Sequence, residues 1–417
     1  MSEDVLVIKN GSLIDGTGAP LAENSSVVVK GGRVAEVAKS RELSISSGVA
    51  AVDATDKTIM PGLMDLHVHL FQVIGVPDPL ERLVAPTSLS LIYAVKHAKA
   101  MLDAGFTTVR DLVYPFADYS GRDMVSLRTA IERGVVRGCR IFAAGAVTST
   151  SGHLDLIRPP PLRDMVLLAD GVDEVRKLTR RCIRENVDWI KTTSTGGMAG
   201  ATVNQPGSRN YTLDELKAIV DEAHAAGLKV ATHSEGIVGC RNAVEASVDT
   251  LEHATQLDDT LIEEILNKDI SITLTMGVGR YRVEVLRESS QYLPKKLDGR
   301  PFEEVGLESH RKAMKAGVNI ALGSDCGAFF PPGKNSYELD LYVRVLGMSP
   351  MDAILTATRN SAKALGRLND LGTIEEGKIA DMIVVEGNPL KDITILQNLN
   401  NIKVVIKEGA IEVDRRL

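Results

Sequence analysis

The chain has 417 residues, 44% hydrophobic and 25% charged, the balance of a folded globular protein long enough for one large α/β barrel and a smaller domain. Its net charge of −7, without a long basic run, argues against a nucleic-acid partner. No apolar stretch approaches the roughly 18 residues of a membrane span, the acidic start Met1-Ser2-Glu3-Asp4 does not read as a secretory signal, and Cys139, Cys182, Cys240 and Cys326 show no short pairing, so a cytoplasmic protein with reduced thiols and no membrane partner is expected.

The first 60 residues read as short strands. Val5–Gly11, Ser26–Gly32 and Arg33–Ala38 are rich in β-branched residues and alternate in polarity. Lys9-Asn10-Gly11-Ser12 and Lys30-Gly31-Gly32-Arg33 have the composition of hairpin turns. The same texture returns at Lys378–Gly387 and Ile402–Ile411. Neither end alone has enough strands to bury a core, so one small β-sandwich-like domain, residues 1–60 and 369–417, is expected from both.

Between these ends, residues 61–368, buried strands alternate with amphipathic helices. The strand candidates are Leu63–Leu70, Thr107–Leu112, Arg140–Val147, Val187–Thr192, Leu228–His233, Val248–His253, Ile270–Thr275 and Val318–Asp325. The clearest helix runs from Tyr211 to Gly227, with Thr212 and Glu215 as a capping box and Leu213, Leu216, Ile219 and Val220 as its apolar stripe. Ser349-Pro350 opens another helix with an N-cap and a proline in the first turn. Strand–helix alternation with apolar strands implies a parallel sheet covered on both faces, and eight units predict a closed (β/α)₈ TIM-like barrel. A doubly wound open sheet is the alternative, but no Gly-x-Gly-x-x-Gly turn follows an early strand.

Chemistry in such barrels sits at the C-terminal ends of the strands. His67 and His69 are two residues apart on the first strand and so share a face. Lys191, His233, His253 and Asp325 fall at the ends of the fourth, fifth, sixth and eighth strands. Each has a plain reading alone: a core histidine, a snorkelling lysine, a helix cap. Their joint placement at one mouth points instead to a metal site.

The ordered set Pro61-Gly62-x-x-Asp65-x-His67-x-His69, Lys191, His233, Glu252-His253 and Gly323-Ser324-Asp325, with the C-terminal Gly372–Val385 segment, resembles the amidohydrolase superfamily of metal-dependent hydrolases. Thr107-Thr-Val-Arg-Asp111, Ser151-Gly-His153 and Thr195-Gly-Gly197 make it most similar to the imidazolonepropionase-related, prolidase-like branch. The resemblance implies that Lys191 is carbamylated by carbon dioxide and that two divalent metals, zinc being expected, share the carbamate and a hydroxide. His67, His69 and Asp325 would hold the more buried metal, and His233 and His253 the more exposed one. Asp325 would be the proton shuttle, and His153 would contact the substrate.

Two positions depart from the pattern of similar peptidases. Glu235 stands where an aromatic or histidine residue is common, which puts a carboxylate in the substrate site and disfavours a substrate carboxylate there. Gly236 stands where mononuclear deaminases carry a glutamate. The expected reaction is hydrolysis of an amide C–N bond in a dipeptide, Xaa-Pro-like substrate or N-acyl amino acid. A xenobiotic amide, carbamate or lactone hydrolase, a deaminase, and a non-enzymatic barrel homologue are the alternatives. The Gly-rich segment from Thr195 to Arg209 is expected to border the substrate pocket or form a lid, and similar enzymes suggest a homo-oligomer. His97, His224 and His310 lie on helical segments and read as structural.

Overall fold

The computed structural model describes residues 5–42, 48–72, 85–113, 120–156, 167–198, 205–285, 287, 296–327 and 330–416. The chain divides into two compact units: residues 1–65, 98–109 and 333–417, and residues 66–97 and 110–332.

In the first unit both chain ends enter one mixed sheet. Its strands are β1 (Val5–Leu13), β2 (Ala22–Lys30), β3 (Arg33–Lys39), β4 (Ala50–Asp53), β5 (Lys57–Pro61), β16 (Met382–Glu386), β17 (Ile402–Lys407) and β18 (Ala410–Asp414), in the order β18-β17-β16-β5-β1-β2-β3 with β4 also on β1. The N- and C-terminal strands join where β5 pairs antiparallel with β16. Alternate residues turn to one core: Leu6 and Ile8, Val27 and Val29, Val34, Val52, Ile59, Met382 and Val384, and Val404 and Ile406.

Lys30 and Arg33 pair across Gly31-Gly32, as the hairpin composition predicts. The turn expected at Lys9–Ser12 is not one. The strand β1 runs straight through it, and its register against β2 shifts between Ile8 and Gly11. Asn10 takes the left-handed conformation (φ 65°), so Asn-Gly here makes a bulge. A Cβ on Gly11 would lie 2.6 Å from Ile59 Cγ1, so the sheet core demands glycine at the bulge.

The second sheet holds the barrel strands β6 (Leu63–Val68), β7 (Phe106–Asp111), β8 (Arg140–Ala146), β9 (Trp189–Thr193), β10 (Lys229–Ser234), β11 (Thr250–His253), β12 (Ser271–Thr273) and β15 (Ile320–Ala321), adjacent in that order. A two-residue pair, β13 (Lys296–Leu297) and β14 (Arg300–Pro301), stands apart. The ring closes through Leu66 N–H to Leu322 O (2.8 Å), Asp325 N–H to His67 O (2.8 Å) and a parallel bridge between Val68 and Cys326. This is the expected (β/α)₈ TIM-like barrel. Its eighth strand has only two residues in the ladder, although the extended segment reaches Cys326.

The helix Leu213–Ala225 opens with the predicted capping box: the Glu215 amide donates to Thr212 Oγ1, and the Thr212 amide donates to the Glu215 carboxylate. Its buried Leu216, Ile219, Val220 and Ala223 form the inward stripe. Ser349 caps the helix Pro350–Thr356 as its sequence predicts. Among the described residues no helix is long and apolar enough to cross a membrane.

Candidate metal centre

The strand ends gather the titratable groups. Nitrogen and oxygen atoms of His67, His253 and Asp325 lie within 4.8 Å of one another, all buried. His69 Nε2 is 3.0 Å from Asp325 Oδ1, and His67 Nε2 is 3.7 Å from the same oxygen. The His253 ring centre is 5.0 Å from that of His67 and 4.6 Å from that of His233. Lys191 is buried on β9, and its charge is felt by His67, His233 and His253. The structure therefore brings together all six residues that the sequence singles out as ligands.

Two of them sit in strained backbone. His253 has φ 70° and Asp325 φ 57°, left-handed values uncommon for residues other than glycine. At His253 the consequence is visible. Successive strand residues face opposite ways, yet Glu252 and His253 both approach His67, because the left-handed turn at His253 swings its ring back to the mouth. Close packing also fixes the loop after Asp325: Gly327 has φ 91°, and a Cβ there would lie 1.9 Å from His69 O.

A metal-binding imidazole presents one ring nitrogen and has the other held by the protein. Three rings satisfy this. His67 Nδ1 is 2.9 Å from Glu252 Oε2, His253 Nδ1 is 2.7 Å from Thr275 Oγ1, and His233 Nε2 is 3.1 Å from Gly196 O. These contacts leave His67 Nε2, His253 Nε2 and His233 Nδ1 as the presenting atoms.

Glu252 is the hub beneath the site. Fully buried, it accepts from Arg110 (2.7 Å), Thr250 (2.5 Å) and Thr273 (2.6 Å) as well as from His67. Arg110 is itself fully buried, donates to Leu66 O, and stacks 4.3 Å over the Trp189 ring. Asp111 accepts from the amides of Leu70 and Val113 and so pins the backbone just beyond His69. Glu252, Arg110 and Asp111 are visible in the sequence only as members of motifs; their positioning roles come from contacts across the barrel. Asp65, in the Pro-Gly motif, binds Asn335 at a sequence separation of 270, which no local pattern announces.

Electrostatics prepare the same atoms. Burial lowers the pKa of His67 to about 4 and pushes His233 and His253 well below the usual histidine value, so these rings are neutral. Burial likewise lowers Lys191 to about 8, giving a substantial neutral-amine fraction near that pH. At Asp325 burial works upward, but the neighbouring His67 and His69 outweigh it and hold the carboxyl at about 2. Burial also opposes the charge of Glu252, and Arg110 and His67 overcome it. Asp111 moves the other way, raised by burial.

The donor set fits divalent metal ions. It offers neutral imidazoles, an ionised carboxylate and a lysine amine, and among the described residues buried Asp325 Oδ1 has no well-formed hydrogen bond, its 3.0 Å approach to His69 Nε2 being an ion-pair contact.

His153 caps the mouth. Its ring stacks on His233 at 4.1 Å between centres, and its amide donates to Asn210 Oδ1. Gly197 lies against both rings: a Cβ there would be 2.5 Å from His153 Cε1 and 2.7 Å from His233 Nε2. Glu235 is buried, 3.9 Å from His233 Nε2, and accepts from the Met198 amide. The described parts of the 195–209 segment thus border the site, closed at their base by a bridge between Thr195 and Arg209; residues 199–204 lie outside the described residues. The three helical histidines each have a partner: His97 Nδ1 with Leu70 O, His224 Nε2 with Asp249, and His310 Nε2 with His253 O.

Comparison with known proteins agrees with this geometry. Residues 58–411 match the model of the amidohydrolase family. The chain is 30% identical to ochratoxinase of Aspergillus niger over 98% of its own length and 86% of the relative's. It is 24% identical to imidazolonepropionase of Geobacillus sp. (strain WCH70) over 94% and 91%. Among solved structures, a Xaa-Pro dipeptidase with bound methionine in its active site superposes with a TM-score of 0.84 at 33% identity, covering 98% of this chain and all of that one. The chain belongs to the amidohydrolase family and is a hydrolase acting on carbon–nitrogen bonds.

Proposed function

We propose that the protein is a binuclear-metal hydrolase that cleaves an amide C–N bond in a dipeptide, an Xaa-Pro-like substrate or an N-acyl amino acid. One observation carries this reading: His67, His253 and Asp325 converge within 4.8 Å at the barrel mouth, where buried Lys191 and the His233 ring also face them. His67, His69 and Asp325 would hold one cation and His233 and His253 the other. Lys191, as its carbon dioxide-derived carbamate, would supply the shared anion. Bound divalent metal, zinc being the expected ion, acidifies water and polarises a carbonyl.

The chain's own groups then have distinct tasks. Asp325 accepts the proton of the attacking water and delivers it to the leaving amine. Glu252 fixes the tautomer of His67 by accepting from its Nδ1. His153, stacked on His233, would contact the substrate carbonyl or carboxylate, and buried Glu235 would favour a neutral or cationic substrate group on its side. The similarity to a Xaa-Pro dipeptidase supports an amide substrate.

Hydrolysis of a xenobiotic amide, carbamate or lactone is the second reading. A deaminase is disfavoured by Lys191 and by Gly236 at the position where deaminases carry a glutamate. The test is a screen of dipeptides and N-acyl amino acids with zinc-loaded protein. Release of a free amino acid supports the proposal; ammonia from an aminated ring, without amide cleavage, overturns it.

A further inference from the structure

We infer that the hydroxyls of Thr193 and Thr148 form a substrate-binding ledge for a neutral group that both donates and accepts hydrogen bonds, such as a second amide of a peptide-like substrate. The inference deepens the amide-hydrolase reading and rests on it for the substrate class.

The strand register places both side chains. On β9, Lys191 turns into the barrel, so Thr193, two residues on, turns the same way and lies one step nearer the mouth. Thr193 is in register with His233 on β10. On the other side Ala146 is in register with Lys191, and Thr148 again follows two residues later. A Cβ on Gly152, the residue before His153, would lie 3.4 Å from Thr148 Oγ1. Register thus sets Thr193 beside His233, and Thr148 lies beside the turn that leads into His153.

Both residues have no solvent exposure, and among the described residues neither Oγ1 has a hydrogen-bond partner. A buried hydroxyl without a partner is destabilising, so its presence at the mouth of a reaction site points to a ligand that satisfies it. A hydroxyl can donate and accept, which matches an amide. The nearby carboxyl of Glu235 disfavours an anion. The neighbouring Thr192 is also buried and, among the described residues, its hydroxyl has no partner, but strand alternation turns it away from the barrel interior. It supplies the control.

The experiment compares Thr193→Val, Thr148→Val and Thr192→Val in metal-loaded protein. Thermal midpoints are measured without substrate, together with metal content and steady-state kinetics on the best dipeptide and on an aryl carbamate. Thr193→Val and Thr148→Val should each raise the midpoint by about 2 °C. Each should also lower kcat/KM for the dipeptide about 10-fold, mainly through KM, with metal content unchanged and the carbamate rate hardly altered. Thr192→Val should raise the midpoint and leave the kinetics alone. A lowered midpoint in Thr193→Val would make its hydroxyl structural, and an unchanged kcat/KM on the cleaved substrate would remove the ledge. A wild type that cleaves the carbamate and no amide would overturn the amide reading instead, a result separate from the ratio between variant and wild type.

Discussion

Replacing Glu252 by Gln changes no heavy-atom count, yet it should disable metal binding from beneath the site. The carboxylate accepts from Arg110 and Thr250 at Oε1 and from His67 and Thr273 at Oε2. A glutamine has one accepting oxygen. Arg110 cannot accept a hydrogen bond, so the amide oxygen should stay with it and the amide nitrogen should face His67 Nδ1. That ring nitrogen must then accept, which moves the ring proton to Nε2, the atom presented to the metal. Loss of such a supporting contact costs about 10- to 100-fold in metal affinity, or roughly 1.4 to 2.7 kcal/mol. Arg110 also loses its buried counter-charge, and breaking a pair of this kind costs about 3 to 5 kcal/mol, with the lower end expected because a neutral hydrogen bond remains. Zinc affinity by competition with a chromophoric chelator, and urea unfolding of metal-free protein, read the two effects separately. Wild-type zinc affinity in Glu252→Gln would refute the tautomer argument, and unchanged unfolding would refute the buried ion pair.

Asp325→Asn keeps size and some ligating ability but removes basicity; kcat should fall about 10² to 10⁴-fold while the fold persists, as steady-state kinetics and circular dichroism will show. Gly197→Ala places a methyl against His153 and His233 at 2.5 and 2.7 Å, and the displaced rings should cost about 10² in kcat/KM. His310 donates to His253 O, and burial lowers its pKa to about 4 from 6.5. The unfolded chain therefore binds the extra proton first as pH falls below 6.5, and stability is lost progressively down to pH 4. Between pH 7 and pH 5 this loss is about 2 kcal/mol, and His310→Gln, which can still donate to the carbonyl, should remove that part of the slope in urea titrations of metal-free protein.

The barrel was legible because parallel strands buried on both faces write themselves as apolar runs, and because period-two spacing places His67 and His69 on one face. Lys191, His233, His253 and Asp325 were legible for a related reason: they end such runs. The parts that stayed hidden depend on backbone conformation or on distant pairing. The left-handed turn that lets Glu252 and His253 serve one site leaves no mark in composition, and the Asn10-Gly11 bulge has the same letters as a hairpin turn. Glu252 stands out in the sequence only as the neighbour of His253, since its partners Arg110 and His67 lie 142 and 185 residues away. The short ladder of β15 follows from a segment that leaves the strand early to carry Asp325 into its left-handed conformation.

The central claim is that Lys191 supplies an anion shared by two cations, and metal stoichiometry tests it most directly. Protein prepared with zinc and bicarbonate should carry two equivalents of zinc per chain by inductively coupled plasma mass spectrometry. Lys191→Ala should lose most of this metal and recover part of it when a short carboxylate such as acetate is added. Two equivalents retained by Lys191→Ala without added carboxylate would contradict the account.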